Sequence, residues 1–330
     1  MRGIRLVVLV VGAGLLLGAT PATAGPSRAP QSAEREALEL LQAAARAGRD
    51  LTYSGTQYVA TWRGRGTSAL ADVRHDPARG STVDTTEPVA ATAALDPRLL
   101  PLLAAAYDLR VTGPGSCTGR AARVVTASRA DGTVAGRFWL DRRSGLLLRR
   151  EVFDAHGQRV RSSAFVDLAV RPVAGGRRTR TSGELPQASS LRALREDGWR
   201  VPRTLPGGFR LFDTSLRTPR PGRHVLQLAY SDGLSTVSLF AQHGRLGTVP
   251  PHGFAPETVG SRPVWARHET TERVVWGGEG RVWTLVSDAP EASVREAVAA
   301  LPGDQAPPGG MQARLARGLG RLGGMLNPFR

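Results

Sequence analysis

The chain has 330 residues, 41% of them hydrophobic and 22% charged, with a formal net charge of +16 and a single cysteine. This composition excludes an intrinsically disordered chain and supplies enough apolar surface for two ordinary domains with packed cores, while the lone Cys117 excludes an internal disulfide. All 44 basic residues are arginine; a chain that uses one surface cation and is rich in Ala, Gly and Pro reflects a GC-rich genome, as in an actinobacterium, so its charge does not point to nucleic acid.

In chain order, Arg2 and Arg5 precede the apolar run Leu6 to Leu17, which ends in Ala22-Thr23-Ala24. These are the parts of a secretory signal peptide over residues 1–24, cleaved after Ala24, and they place the mature protein outside the cytoplasmic membrane. The run is shorter than the roughly 20 residues of a membrane span. Glu34 to Ala47 reads as a helix with Leu38, Leu41 and Ala45 on one stripe and Gly48 as its stop. Leu51 to Trp62 alternates as a strand, and a turn at Gly64 and Gly66 leads into a second strand through Val73. The segment GRGTSA here matches G-x-G-x-x-A, but it joins two strands and opens no helix, so it is a hairpin and not a dinucleotide fingerprint.

Asp96-Pro97 starts a short helix carrying Leu99, Leu100, Leu102 and Leu103, with Asp96 as cap. Tyr107–Val111 and Ala122–Ala127 read as strands around a Gly-rich loop that holds Cys117, an inert thiol in this reading. From Gly136 to Val170 the text GRFWLD, LLLRREVFD and RVRSSAFVDLAV reads as three strands of an antiparallel meander, turned at Gly145 and Gly157. Residues 25–170 then form a first domain, and 171–187, RPVAGGRRTRTSGELPQ, an inter-domain linker. Residues 188–303 form a smaller α+β domain: a helix at Ala188–Arg195, strands to Leu216, over Val225–Tyr230, to Ala241 and over Val264–Glu269, the hairpin around GGEG, and a last helix capped by Asp288.

The pattern excludes most chemistry. Without lysine there is no P-loop, Schiff base or Ser-Lys dyad. No G-x-S-x-G or H-E-x-x-H occurs, the six histidines lack ligand spacing, and no carboxylate pair stands out as in a glycosidase. The chain reads as a non-enzyme with no cofactor, no metal and no catalytic residue.

Tyr107-Asp108, then ASRADGT from Ala127, FWLDRRSGLLLRREVFDAHGQ, and after the linker LPGGF and YSDGL, together with LLQAAARAGRDLTYSGT, resemble in order and spacing the MucB/RseB family of sigma-factor regulatory proteins. The resemblance runs to about Pro302. It implies an α+β fold whose larger N-terminal domain is a LolA/LolB-like antiparallel half-barrel wrapped on helices around an apolar cavity, followed by a smaller α+β antiparallel-sheet domain. It also implies a negative regulator outside the cytoplasmic membrane. Such a protein binds the exported segment of a membrane anti-sigma factor, shields it from proteolysis and responds to a lipid or lipoprotein stress signal. The alternative is a lipid or lipoprotein carrier using the same cavity; a one-domain carrier would have no need of residues 199–302. The composition departs from the family pattern, because an actinobacterium lacks the outer membrane that supplies its signals elsewhere.

In this frame Leu99, Leu100, Leu103, Phe138, Leu140, Leu148, Val152, Val160 and Ala164 are expected to line a cavity for an acyl chain. Leu205, Phe209, Tyr230 and Trp283 are expected to contact the anti-sigma factor. The tail, residues 304–330, lies beyond the resemblance. Met311, Leu315, Leu319, Leu322 and Leu326 recur at helical spacing, and Arg314, Arg317 and Arg321 would hold such a helix on anionic lipid as a peripheral membrane contact. Gly318, Gly320, Gly323 and Gly324 oppose helix formation in water.

Overall fold

The computed structural model describes residues 31–62, 66–84, 95–171, 188–220, 223–247, 249–269 and 271–304. The expected signal peptide, residues 172–187 of the expected linker and residues 305–330 of the tail lie outside them. The fold is α+β, two open antiparallel sheets each carrying helices on one face.

The chain enters as helix α1 (Gln31–Asp50), whose buried stripe is Ala37, Leu41, Ala44, Ala45 and Gly48. Spacings of four, three and one put these on one face, and small side chains there let the helix lie close on a sheet. That sheet has nine strands: β1 (Thr52–Thr61), β2 (Thr67–Asp76), β3 (Gly80–Asp84), and after helix α2 (Leu100–Ala106), β4 (Asp108–Cys117), β5 (Arg120–Ser128), β6 (Val134–Asp141), β7 (Leu147–Phe153), β8 (Arg159–Phe165) and β9 (Ala169–Arg171). Its order is β3-β2-β1-β8-β7-β6-β5-β4, with β9 also on β1. The expected meander, β6 to β8, sits at the centre of this sheet, and pairing of β8 with β1 carries the N-terminal hairpin onto it.

The predicted Gly-rich loop around Cys117 is instead strand. β4 and β5 pair as far as Cys117 and Arg120, and the reversal is made by Thr118 and Gly119, both at positive φ. The glycines and proline that suggested a loop have strand roles. Gly113 sits at a register shift in the pairing, Gly115 leaves room for the Trp139 ring, and Pro114 is tolerated because β4 is an edge strand. Cys117 Sγ faces the carbonyls of Leu148 and Phe165, at 3.7 and 3.8 Å.

A second unit starts at helix α3 (Ala188–Glu196). Its sheet contains β10 (Thr204–Leu205), β11 (Phe209–Arg220), β12 (Arg223–Ser231), β13 (Thr236–His243), β14 (Ala255–Val259), β15 (Arg262–His268), β16 (Glu272–Gly278) and β17 (Arg281–Ser287), in the order β10-β11-β12-β13-β17-β16-β15-β14, and helix α4 (Glu291–Ala300) follows. Trp276 and Trp283 stack at 6.3 Å under Val294, Ala297 and Val298 of α4, and Leu191 and Leu194 of α3 belong to the same core. Asp288 does not cap α4, which starts three residues later after Pro290. β3, β10 and β14 lie outside the expected strands, and the expected third strand of the meander ends at Phe165, with Ala169–Arg171 a separate strand.

Candidate functional site at the junction of the two units

The two sheets meet where the turn between β12 and β13 enters the first unit. This turn is the Ser231-Asp232-Gly233-Leu234 part of YSDGL. Ser231 Oγ donates to the Ser235 carbonyl (2.7 Å) and accepts from the Gly233 N–H (2.9 Å), while Asp232 Oδ1 accepts from the N–H groups of Leu234 (2.8 Å) and Ser235 (2.6 Å). With its backbone satisfied by its own side chains, the turn is a stiff prong that can be buried. Gly233 has φ +92°, and a Cβ built on it would overlap the Leu103 backbone of α2. Leu234 is 2% exposed and joins the core cluster of Leu100, Leu103 and Phe138, above Gly136, where a Cβ would collide with it.

Polar contacts surround the prong. Tyr107 Oη, at the end of α2, donates to Asp232 Oδ2 at 2.6 Å. Burial pushes the Asp232 carboxyl up from the ordinary carboxylate range, against the opposing pull of Tyr107 and the two turn N–H groups. Burial, then the neighbouring Asp232, raises the Tyr107 phenol. Asp288, just past β17, accepts the Thr236 N–H at 2.6 Å and pairs with Arg161 of β8 at 2.7 Å. Both side chains are largely buried, so each depends on the other for compensation. Arg98, doubly bonded to Asp96, lies over the Phe212 ring at 5.4 Å and 3.8 Å from Asp213. Arg150 of β7, on the same face as Phe138, completes the arrangement. Beside the prong a pocket of about 340 Å³ opens between the units, with Leu99, Leu100 and Arg150 on one wall and Phe212, Val286 and Asp288 on the other.

Of the residues expected to line an acyl cavity, Leu100, Leu103, Phe138 and Leu140 come together with α1 in one buried cluster. There they fill one another's space. Leu99 is half-buried and faces the inter-unit pocket with Leu100. Val152 pairs with Arg161 on the inner face, and Leu148 falls at a register shift, between the Trp139–Arg149 and Leu140–Leu147 pairs. Ala164 does not share this face. Ala164 stands opposite Arg149, which stands opposite Trp139, and belongs to the outer row with Tyr58, while Val160 falls at the register shift between the Val152–Arg161 and Phe153–Arg159 pairs. Leu205, Phe209, Tyr230 and Trp283, expected as partner contacts, are at most 5% exposed and build the core of the second unit. They present no surface; Tyr230 Oη donates inward to the Pro202 carbonyl at 3.0 Å. Arg314, Arg317 and Arg321 lie outside the described residues. Among the described residues no helix is long and apolar enough to cross a membrane, and no group of three His, Cys, Asp or Glu side chains could hold a metal ion.

Sequence reasoning missed the junction residues Arg150, Arg161, Asp232, Leu234 and Asp288. One signal was available: strand alternation through Leu148 and Val152 puts Arg150 on the apolar face, where an unpaired charge is anomalous. The others depend on pairings across more than a hundred residues, which no local pattern carries.

Residues 72–189 match the family model described as the MucB/RseB N-terminal domain. Among solved structures, the complex of Pseudomonas aeruginosa MucA and MucB is similar over 82% of this chain and 99% of that chain, at 23% identity and a TM-score of 0.43. A crystal structure of MucB is similar over 80% and 97%, at 20% identity and a TM-score of 0.44. A LolA superfamily protein from Nitrosomonas europaea is similar over 78% and 96%, at 10% identity and a TM-score of 0.19. No curated protein matches the chain. The segment matched by the family model runs from β2 to the start of α3 and contains every first-unit residue of the junction.

Proposed function

We propose that this chain, which belongs to the MucB/RseB family through residues 72–189, is an extracytoplasmic negative regulator that holds the exported segment of a membrane anti-sigma factor and keeps it from proteolysis. The observation that carries this reading is the family match on the first unit combined with a second unit docked onto it through YSDGL. A carrier of acyl cargo needs an apolar interior and an opening. It has no use for a second core of this size plugged into the first.

The same reading includes a lipid or lipoprotein signal that loosens the grip on the partner. Its support is positional: α2 is shared between the first core and the junction, so a ligand that displaces α2 also disturbs the seat of the prong. The regulator reading is tested by a pull-down in which immobilised residues 25–330 are offered candidate anti-sigma exported segments. Retention of one segment, with protection of that segment from added protease, is the expected outcome. Retention of none, with lipoprotein or acyl cargo bound instead, would move the assignment to a carrier.

A further inference from the structure

We propose that the pocket between the two units is a binding site for a small organic carboxylate with an apolar body, its head held by the Arg150 guanidinium. This deepens the ligand half of the reading above and does not depend on the anti-sigma half.

The Arg150 side chain, on the pocket wall with an enclosed Nε, is the observation that points to a ligand. Its Nε is enclosed and has no hydrogen-bond partner among the described residues, and no carboxylate among them lies within ion-pair distance of its guanidinium. Burial lowers its pKa, an effect that Asp288, Asp232 and Tyr107 oppose and Arg161 reinforces. A guanidinium offers five donors and cannot shed its proton; that of Arg150 lies 5.9 Å from the Phe138 ring centroid and is left without an anion, and leaving its enclosed Nε unmatched is costly. The carboxylates here are already matched: Asp288 with Arg161, Asp96 with Arg98, and Asp232 with Tyr107 and the turn N–H groups. Arg150 therefore stands on the pocket wall with donors that no described carboxylate takes.

The pocket walls fix the class of ligand. Asp96 and Asp288 both line the space, so a dianionic phosphate would meet two carboxylates, whereas a singly charged planar carboxylate matches the guanidinium fork at less cost. Leu95, Leu99, Phe212 and Val286 give an apolar bed for the body, and Ser238 and Thr271 add hydroxyls near it. The volume of about 340 Å³ is in the range of small-molecule sites. Because Leu99 and Arg150 come from the first unit and Phe212 and Val286 from the second, the ligand would bridge the junction.

The test is calorimetric titration of residues 25–330 with octanoate, 1-octanol, octyl phosphate and acetate. The expected result is one saturable octanoate site, with octanol and octyl phosphate weaker by at least about tenfold and acetate weaker still. Arg150→Gln is expected to lower octanoate affinity by at least about tenfold and leave octanol unchanged. Should that variant fail to fold, the comparison of octanoate with octanol on the unaltered protein decides alone. Equal affinity for octanoate and octanol, no octanoate binding up to millimolar concentration, or acetate binding as tightly as octanoate would overturn the proposal. Octanoate or palmitate bound equally by the Arg150→Gln protein would place any acyl site elsewhere, overturning the junction site while leaving the regulator and its lipid signal standing.

Discussion

A methyl group at position 233 would have to occupy space held by the Leu103 backbone, on a backbone conformation that side chains rarely adopt. Gly233→Ala is expected to destabilise the protein by at least about 2 kcal/mol, because relief is available only by withdrawing the prong; urea unfolding measures it. A second residue-scale device lies away from the junction. His268 bonds Glu272 through Nδ1 (2.9 Å) and Glu257 through Nε2 (2.6 Å). Partial burial works against its protonation, but the bonds to Glu257 and Glu272 and their charges outweigh it and raise the pKa. The folded value therefore lies above the unfolded one near 6.5. The stabilisation is fully present below that unfolded value and is lost as pH rises through the folded one. Comparison of the unaltered protein with His268→Gln from about pH 5.5 to 8.5 should show the difference in stability shrinking as pH rises; a difference that grows would contradict the assignment.

At the scale of elements, alternation and turn residues were enough to read the central meander, the first helix and most strands of the second unit. Where the reading went astray, the cause was specific. Gly113, Pro114 and Gly115 look like loop because composition does not reveal that β4 is an edge strand. Asp288 looks like a helix cap, yet its carboxylate is taken by Thr236 and Arg161. Val160 and Ala164 were expected on the inner face because alternation alone does not fix which parity continues across the turn at Gly157; Val152 pairs with Arg161 and Arg149 with Ala164 in one register, which puts Arg161 and Ser163 inward. Aromatic residues expected on the surface, Phe209, Tyr230 and Trp283, are core, which is the commoner fate of large side chains in a small sheet domain. The contact between β8 and the end of β17 offers an energetic check. Arg161→Met and Asp288→Asn should each cost about 3–5 kcal/mol, since each strands a largely buried charge. The double variant should cost clearly less than the sum, as read from a denaturation cycle; additive losses would mean that the pair does not couple the units.

For the whole molecule, the prong, the Arg161–Asp288 pair and the Tyr107–Asp232 bond make the first core continuous with a residue of the second unit, Leu234. The arrangement gives two of the motifs on which the family resemblance rested, Tyr107-Asp108 and YSDGL, a physical meaning: they are the two sides of one contact. The regulator assignment depends on that two-unit body holding a peptide partner. The most direct measurement is titration of residues 25–330 with the exported segment of a membrane anti-sigma factor from the same organism, followed by calorimetry. The account predicts saturable one-to-one binding at micromolar affinity or tighter, weakened by Gly233→Ala. Absence of binding to every such segment, by protein that is folded and binds acyl ligand, would contradict it.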